Sequence, residues 1–391
     1  MTAMRYCSLL LTAWLSVAAC HSGSTDQAAV QLPVANIQLP APSGPFGVGR
    51  TFYYWKDPAR NRELPLWVYY PTAQTGSVAP ADSVLSQPAW SQRYRELVGR
   101  RLGPGAATAL LGLRTTAVRN APAAPGAGAL PVLLFAPGLH WLPTDYSTLL
   151  EELASQGYAV VAWAPPQYAG VVQLQSGELL EGTGLHEHAP LVADFRFVLQ
   201  QLPRLNQTVG SPMNGRLDLS RVGALGHSIG GAAAVGAGQL APQLRAVANL
   251  DGDFDEAETT GTLSQHVLYL TSEPPGLPNQ PVTAWAQQDR SEARRQDVWD
   301  RLRRTAPKSS RIWLPGFYHS NFQDAALLPP AAVPEKLRRN RFGRVDGVQG
   351  LRLTAALLTA FFDAELRGQS PNALQQLGQR YPDIRIDTAD R

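Results

Sequence analysis

Cysteine is almost absent from this chain. Only Cys7 and Cys20 occur among its 391 residues, and both lie within the first twenty positions. The rest of the chain therefore cannot contain a disulfide framework or a metal site with cysteine ligands. The length is sufficient for one large domain or two smaller ones.

A strong excess of positive charge is also absent. The formal net charge is only +3, and no run of lysine and arginine is interleaved with aromatic residues. We therefore expect no nucleic-acid partner, because such an interface requires a clustered basic surface. The hydrophobic fraction of 44% and the charged fraction of 17% are typical of a globular protein, and no internal repeat is visible.

The first residues of the chain resemble an export signal. Arg5 precedes an apolar segment, residues 7–18, that is too short to span a bilayer as a stable anchor. The small residues directly before Cys20 resemble a bacterial lipobox, in which the cysteine is lipidated and becomes the mature N-terminus. We predict a signal peptide over residues 1–19 and a lipidated Cys20. The alternative is an ordinary secretory signal cleaved near Ala19.

The residues that follow indicate a tether. Residues 20–45 are first polar and then rich in proline, which is typical of a flexible linker. The two segments together predict an exported lipoprotein that is anchored to a membrane surface through its N-terminus, in the periplasm or on the cell surface. Secretion without an anchor is the second choice.

Strands and helices alternate through residues 46–391. Apolar runs predict the following strands: Phe46–Trp55, Leu64–Tyr70, Leu130–Ala136, Tyr158–Trp163, Val222–Leu225, Leu244–Leu250, His266–Leu270 and Arg311–Leu314. Helical spacing predicts helices at Tyr146–Gln156, Pro190–Leu202, Asp289–Arg304 and Leu351–Leu366. This order predicts a single α/β domain with a mostly parallel central sheet and helices on both faces.

Residues 71–129 interrupt this alternation. Gln92–Leu102 has the pattern of a basic amphipathic helix, and Ala106–Leu113 has the pattern of a second helix. A mobile lid and a helix lying on a membrane surface are two interpretations of this segment. We favour the third, an excursion packed on the surface of the domain.

Residues 221–240 carry the most informative motif in the chain. Gly226-His227-Ser228-Ile229-Gly230 follows a short apolar run and precedes an alanine- and glycine-rich segment of helical character. Strand, tight turn with a serine, and helix together form the pattern of a nucleophile elbow. Side chains at Gly226 and Gly230 would obstruct the close approach of strand and helix. A five-residue pattern also arises by chance, but its position between strand and helix favours Ser228 as a nucleophile.

A serine nucleophile requires a base, and the base requires an acid that orients it. When these groups follow an elbow of this kind, the chain order is serine, acid, histidine. Asp251 directly follows the apolar run that ends at Leu250, so we predict it as the acid, with Asp253 and Asp255 as competitors. These groups should meet at the carboxyl ends of the strands.

Two histidines follow the serine. His319 follows the last predicted strand by a short loop and is our prediction for the base, whereas His266 begins a strand and fits a structural role. An oxyanion hole requires two backbone amides. We predict those of Ile229, the residue after the nucleophile, and Leu139, in the loop after Leu130–Ala136.

The motifs that suggest metal binding are weak. The DGDFDE segment after Leu250 resembles a calcium loop, but Glu256 and Thr262 occupy the places of its glycine and glutamate. His186 and His188 resemble a ligand pair without a third ligand in range. We therefore predict no metal and no cofactor.

Several of these motifs resemble the platelet-activating-factor acetylhydrolase branch of the α/β-hydrolases. The similarity covers roughly residues 46–366 and is carried by the elbow GHSIGGA, by ANLD, by YHSNF at residues 318–322, by PVLLFAPGLHWL and by ARNRELPLWVYYP. The resemblance implies an α/β-hydrolase fold, with Ser228, Asp251 and His319 as the triad and Leu139 and Ile229 as oxyanion donors. It also implies calcium-independent hydrolysis of short or oxidised sn-2 acyl chains of phospholipids. The family has His-Gly where this chain has Pro137-Gly138, which bears on the choice of substrate.

These observations predict a serine ester hydrolase that acts through an acyl-enzyme, with a phospholipid or a small ester as substrate. One alternative is a general carboxylesterase or dienelactone-hydrolase-like enzyme on small soluble esters. A second is a non-catalytic surface lipoprotein that serves as a binding module. Trp141, Phe317 and Tyr318 flank the predicted catalytic loops, where they either line an apolar acyl pocket or pack beneath the loops.

Overall fold

The computed structural model describes residues 38–75, 79–80, 88–253, 261–273, 282–306 and 308–389. The predicted signal peptide, Cys20 and most of the tether lie outside these residues. None of the helices in the described ranges is both long enough and apolar enough to cross a bilayer.

The strands range in length from two to eleven residues. Within the described residues they are β1 (Gly47–Asp57), β2 (Arg62–Thr72), β3 (Ala79–Pro80), β4 (Arg114–Thr115), β5 (Val118–Arg119), β6 (Leu130–Ala136), β7 (Ala159–Trp163), β8 (Val171–Gln173), β9 (Leu179–Glu181), β10 (Leu217–His227), β11 (Leu244–Leu250), β12 (His266–Ser272), β13 (Ser309–Leu314) and β14 (Arg385–Thr388). The helices are α1 (Pro88–Leu102), α2 (Pro104–Leu111), α3 (Ser147–Ser155), α4 (Ala189–Gln207), α5 (Ile229–Leu240), α6 (Val282–Thr305), α7 (Glu335–Arg341), α8 (Gly347–Arg367) and α9 (Ala373–Arg380).

Ten of these strands form one sheet in the order β14-β13-β12-β11-β10-β6-β7-β2-β1-β5. The six strands from β13 to β7 are parallel to one another. At the two sides, β14 pairs antiparallel with β13, and β2 pairs antiparallel with both β7 and β1. The carboxyl ends of the parallel strands therefore lie along one edge of the sheet, which is where ligands bind in open α/β folds.

The central strands are buried on both faces. Along β6, Leu133 and Phe135 belong to one hydrophobic core, whereas Val132 and Leu134 belong to the core on the opposite face. Because side chains alternate along a strand, a strand between two cores needs apolar residues at every position. This requirement explains the continuous apolar run that predicted β6.

Helices cover both faces of the sheet. The first core is closed by α3 and α8, which contribute Leu150, Leu153 and Leu357. The second is closed by α4, α5 and α6. The expected α/β architecture, with a mostly parallel sheet between two helical layers, is confirmed.

The elements differ from the sequence-based expectations mainly at their ends. Helix α4 continues through Pro203 to Gln207 instead of ending at Leu202. A proline inside a helix loses one backbone hydrogen bond and its ring crowds the carbonyl four residues earlier. The burial of Leu205 in the second core stabilises the additional turn. The hairpin of β8 and β9, the edge strand β14 and the helices α7 and α9 were not predicted.

The segment between β2 and β6 packs against the domain through its first helix. Trp90, Tyr94 and Val98 of α1 are fully buried, and the indole N–H of Trp90 donates to the carbonyl of Val171 at 2.9 Å. The apolar face of α1 is therefore covered by the domain itself. This packing favours a fixed surface excursion over a helix that lies on a membrane.

Candidate active site

A sharp turn between β10 and α5 presents Ser228 at the edge of the sheet. Ser228 has φ 56° and ψ −129°, a strained backbone conformation for a residue with a side chain. A Cβ at Gly226 would lie 2.4 Å from Gly230, and one at Gly230 would lie 2.3 Å from the carbonyl oxygen of Ala136. Both glycines of the motif are thus required by the close approach of strand and helix.

Three predicted residues from different strands meet at this turn. Nε2 of His319 lies 2.9 Å from Oγ of Ser228, and Nδ1 of His319 lies 2.7 Å from Oδ2 of Asp251. Asp251 directly follows β11, and His319 follows β13 after a four-residue loop. The competitor Asp253 is exposed and makes no contact of this kind, while Asp255 lies outside the described residues.

Asp251 is fully buried and is held by several donors. The backbone N–H of Ser272 donates to Oδ1 at 2.8 Å, and its hydroxyl donates to Oδ2 at 2.6 Å. Burial by itself would raise the pKa of Asp251, but Arg295, His319 and Ser272 together hold it well below the usual range. The carboxylate is therefore ionised and fixed in a position to orient the imidazole of His319.

The two predicted oxyanion donors belong to the start of α5 and to the loop after β6. Ile229 is the first residue of α5, and Leu139 follows Gly138 in the oxyanion loop, residues 137–141. Neither backbone amide has a hydrogen-bond acceptor among the described residues. The amide of Gly138, by contrast, donates to the hydroxyl of Tyr146 at 3.0 Å. A helix N-terminus and two open amides suit the stabilisation of a negative oxygen.

A polar cleft of about 390 Å³ opens above the serine. Its lining consists of His186, His188, Ser228, Ile229, Asp251, Asp253, Arg295 and His319. His186 and His188 therefore lie at the cleft, although the described residues contain no group of three side chains suited to hold a metal ion. The sequence pattern by itself is only weak evidence that these two histidines bind a metal ion.

The aromatic residues near the loops have a structural role. Trp141 is 4% exposed and packs beneath the guanidinium of Arg101, and Phe317 is 1% exposed and packs on Phe322. Both belong to the core, so they do not form the acyl pocket. His140 is half-buried, and burial together with Arg101 lowers its pKa to about 4.

Two residues that were not predicted as site residues support the loops. Arg295 reaches the site from the charged helix α6, where its Nη2 lies 3.8 Å from Oδ1 of Asp251. Asn321 accepts hydrogen bonds from the amides of Tyr318 and Gly343 and so holds the loop that carries His319. Only tertiary contacts distinguish these residues from others of their type.

Comparisons with known proteins show similarity to one protein family and to a named esterase. Residues 33–165 match the model of the family described as platelet-activating factor acetylhydrolase, isoform II. A protein of Arthroderma benhamiae named "Probable 1-alkyl-2-acetylglycerophosphocholine esterase" is 24% identical over 266 residues. The aligned region spans 65% of this chain and 65% of that relative. The resemblance to this family that the motifs indicated is confirmed.

A solved structure shares the fold over most of the chain. The ferulic acid esterase from Streptomyces cinnamoneus superposes with a TM-score of 0.69 and 26% sequence identity. The superposition covers 90% of this chain and 99% of that protein. The fold is that of the α/β-hydrolases, and the similarities as a group support a carboxylic ester hydrolase.

Proposed function

We propose that this chain is a serine ester hydrolase in which Ser228 is the nucleophile, His319 the general base and Asp251 the orienting acid. The observation that carries the proposal is the continuous set of hydrogen bonds from Ser228 through His319 to the buried Asp251. The similarity to esterases supports the same reaction class. No cofactor is required for this chemistry.

The first half of the reaction acylates the enzyme. The hydroxyl oxygen of Ser228 attacks the ester carbonyl carbon while Nε2 of His319 accepts its proton. The carbonyl oxygen becomes negative in the tetrahedral intermediate, where the amides of Leu139 and Ile229 donate to it. As the C–O bond to the alcohol breaks, His319 returns the proton to the leaving oxygen, and the acyl group remains on Ser228.

The second half releases the acid. A water molecule loses a proton to His319 and attacks the acyl carbon, and the same amides stabilise the second oxyanion. The bond to Ser228 then breaks and its hydroxyl regains the proton from His319. Throughout both halves Asp251 keeps Nδ1 of His319 protonated, so Nε2 remains the basic nitrogen that faces the serine.

For the substrate, we propose short acyl chains at the sn-2 position of phospholipids, cleaved without calcium. The support for this choice is the family match and the relative named as a 1-alkyl-2-acetylglycerophosphocholine esterase. A lipidated Cys20 would hold the enzyme at the membrane that contains such substrates. We accordingly propose an exported, membrane-anchored protein.

Small soluble esters are the second candidate substrates. The cleft above Ser228 is lined by histidine, arginine and aspartate side chains, and the rings of Trp141 and Phe317 are buried in the core. A polar cleft suits a compact ester with polar groups, and the structural neighbour acts on ferulic acid esters according to its name. This observation supports a general carboxylesterase as the second candidate function.

One experiment separates these candidates. The assay compares the wild type with Ser228→Ala and with a control variant, Ser220→Ala, in which an exposed serine of β10 is replaced. The substrates are a water-soluble acetyl ester and a phospholipid with an sn-2 acetyl chain in vesicles, each with and without a calcium chelator. We expect the wild type and Ser220→Ala to prefer the phospholipid with and without chelator, and Ser228→Ala to be inactive.

The other outcomes are equally informative. Cleavage of the soluble ester alone, lost in Ser228→Ala, would retain the triad and assign the second substrate class. Loss of activity with the chelator would contradict calcium independence. If the wild type and Ser228→Ala are equally inactive on both esters, the catalytic proposal is wrong and the binding-module alternative replaces it.

A further inference from the structure

His227, the residue before the nucleophile, is fully buried beneath the candidate site. Its ring centroid lies 4.6 Å from that of His319, and its Nε2 lies 3.0 Å from the backbone carbonyl oxygen of His319. A carbonyl oxygen only accepts hydrogen bonds, so Nε2 of His227 carries the proton and Nδ1 is an acceptor. Burial and the neighbouring His319 lower the pKa of His227 well below its usual value, so the ring stays neutral.

The acceptor nitrogen of His227 faces a tyrosine hydroxyl and, at the longer distance of 3.4 Å, the side-chain amide of Gln323. The hydroxyl of Tyr146 lies 2.8 Å from Nδ1 of His227, and the same hydroxyl accepts the N–H of Gly138 at 3.0 Å. Burial raises the pKa of Tyr146 well above its usual value, so its hydroxyl keeps the proton that it donates. The hydrogen bonds therefore run in one direction. The amide of Gly138 donates to the hydroxyl of Tyr146, this hydroxyl donates to Nδ1 of His227, and Nε2 of His227 donates to the carbonyl of His319.

We propose that Tyr146 and His227 are positioning residues that join the oxyanion loop to the loop that carries His319. This inference rests on the proposed function. The two residues touch no reacting atom. They act through the amide of Gly138, which precedes the oxyanion donor Leu139, and through the carbonyl of His319.

The contacts around Gly138 show how closely the two loops are coupled. A Cβ at Gly138 would lie 2.8 Å from Nδ1 of His227 and 3.3 Å from Cβ of Ser228. The oxyanion loop therefore lies directly against the His227 ring and the nucleophile. Since Tyr146 occupies the amide of Gly138, the next amide, that of Leu139, is the one left open toward an oxyanion.

Three variants test this proposal. Tyr146→Phe removes the hydroxyl from the middle of the set. His227→Gln keeps an amide donor that can reach the carbonyl of His319 but removes the ring nitrogen that accepts from Tyr146. The matched control is Tyr70→Phe, since the buried hydroxyl of Tyr70 donates to the carbonyl of Ala121 at 2.7 Å. The readouts are kcat and KM on a soluble acetyl ester, affinity for a short alkylboronic acid that mimics the tetrahedral intermediate, and the melting temperature.

We expect Tyr146→Phe to lower kcat by about 10- to 100-fold with KM changed by less than about threefold, because a misplaced donor weakens only the transition state. Boronic acid affinity should fall with kcat. His227→Gln should lower kcat less than Tyr146→Phe, and Tyr70→Phe should retain kcat within about twofold. The proposal is wrong if Tyr146→Phe and Tyr70→Phe lower kcat equally, or if Tyr146→Phe changes KM and leaves kcat unaltered.

Two further results complete the test. If the wild type hydrolyses no ester faster than Ser228→Ala does, the proposed function fails and the positioning role fails with it. If Tyr146→Phe does not fold, nitrogen-15 NMR of the wild type decides. We expect His227 to remain neutral and protonated on Nε2 from about pH 5 to 9, and a His227 that titrates in this range would overturn the proposal.

Discussion

The guanidinium of Arg295 lies 3.8 Å from the carboxylate of Asp251, and its Nη1 donates to the carbonyl of Ser272 at 3.1 Å. Ser272 in turn donates twice to Asp251. Helix α6 thus supports the acid of the candidate triad both by its charge and through the strand residue that binds it. The first prediction follows from this arrangement.

Replacing Arg295 with glutamine should lower stability and activity together. Asp251 has a lower pKa in the folded state than in the unfolded state. The stability that this difference contributes is fully present above the unfolded-state pKa, and it is lost as pH falls through the folded-state pKa. Arg295→Gln should therefore cost about 1–2 kcal/mol in urea unfolding at pH 7, with the difference shrinking below about pH 4. Arg295→Lys should lose less, and a glutamine variant equal to the wild type at both pH values would contradict the role of Arg295.

Asp251 and Asp253 form a natural pair for identifying the acid. Asp251 is buried against His319, whereas Asp253 lies at the cleft with an exposed side chain. Asp251→Asn should lower kcat by about 10⁴-fold, because the amide favours the wrong tautomer of His319. Asp253→Asn should change kcat less than about threefold. Equal losses in the two variants, measured on a soluble acetyl ester, would refute the assignment.

The buried carboxyl of Asp324 should make the protein less stable at high pH. Burial raises its pKa to about 7, although the amide of Thr148 donates to it at 3.2 Å. Between about pH 4 and 7 the folded state retains a proton that the unfolded state has lost, so stability falls as pH rises through this window. Asp324→Asn removes this term and keeps an oxygen acceptor for Thr148. The variant should be more stable than the wild type by about 1–3 kcal/mol at pH 8, with no gain at pH 4.

The measurement for Asp324 is urea unfolding across the pH range. The exposed Asp253→Asn variant is the control, because its free energy of unfolding should follow that of the wild type at every pH. A different outcome is that Asp324→Asn loses the same amount of stability at pH 4 and at pH 8. That result would mean that the fold stabilises the ionised carboxylate of Asp324 and not its protonated form.

The lipid anchor at Cys20 is open to a direct test. Expression in a bacterial host with labelled fatty acid should label the wild-type chain and place it in the membrane fraction. Cys20→Ser should abolish both, while Cys7→Ser, in the apolar part of the predicted signal, should retain both. Release of unlabelled wild-type chain into the soluble fraction would favour the ordinary secretory signal.

The sequence was sufficient to locate the central strands and the residues at their ends. A strand between two helical layers must be apolar at every position, so runs such as Leu130–Ala136 are visible without a structure. The elbow is equally local, because the close approach at Gly226 and Gly230 permits no side chain. Asp251 and His319 could be chosen because parallel strands bring their carboxyl ends to one edge.

Only the tertiary structure decided what surrounds these residues. Arg295 comes from a helix whose sequence resembles any charged surface helix. The His227 tautomer depends on the carbonyl of His319, ninety-two positions away in the chain. The aromatic residues Trp141 and Phe317 proved to be core residues because burial depends on packing between elements that no local pattern specifies. Local periodicity and backbone sterics therefore determined the strands and the sharp turn that carries Ser228, while long-range packing determined the charge, tautomer and polarity of the site.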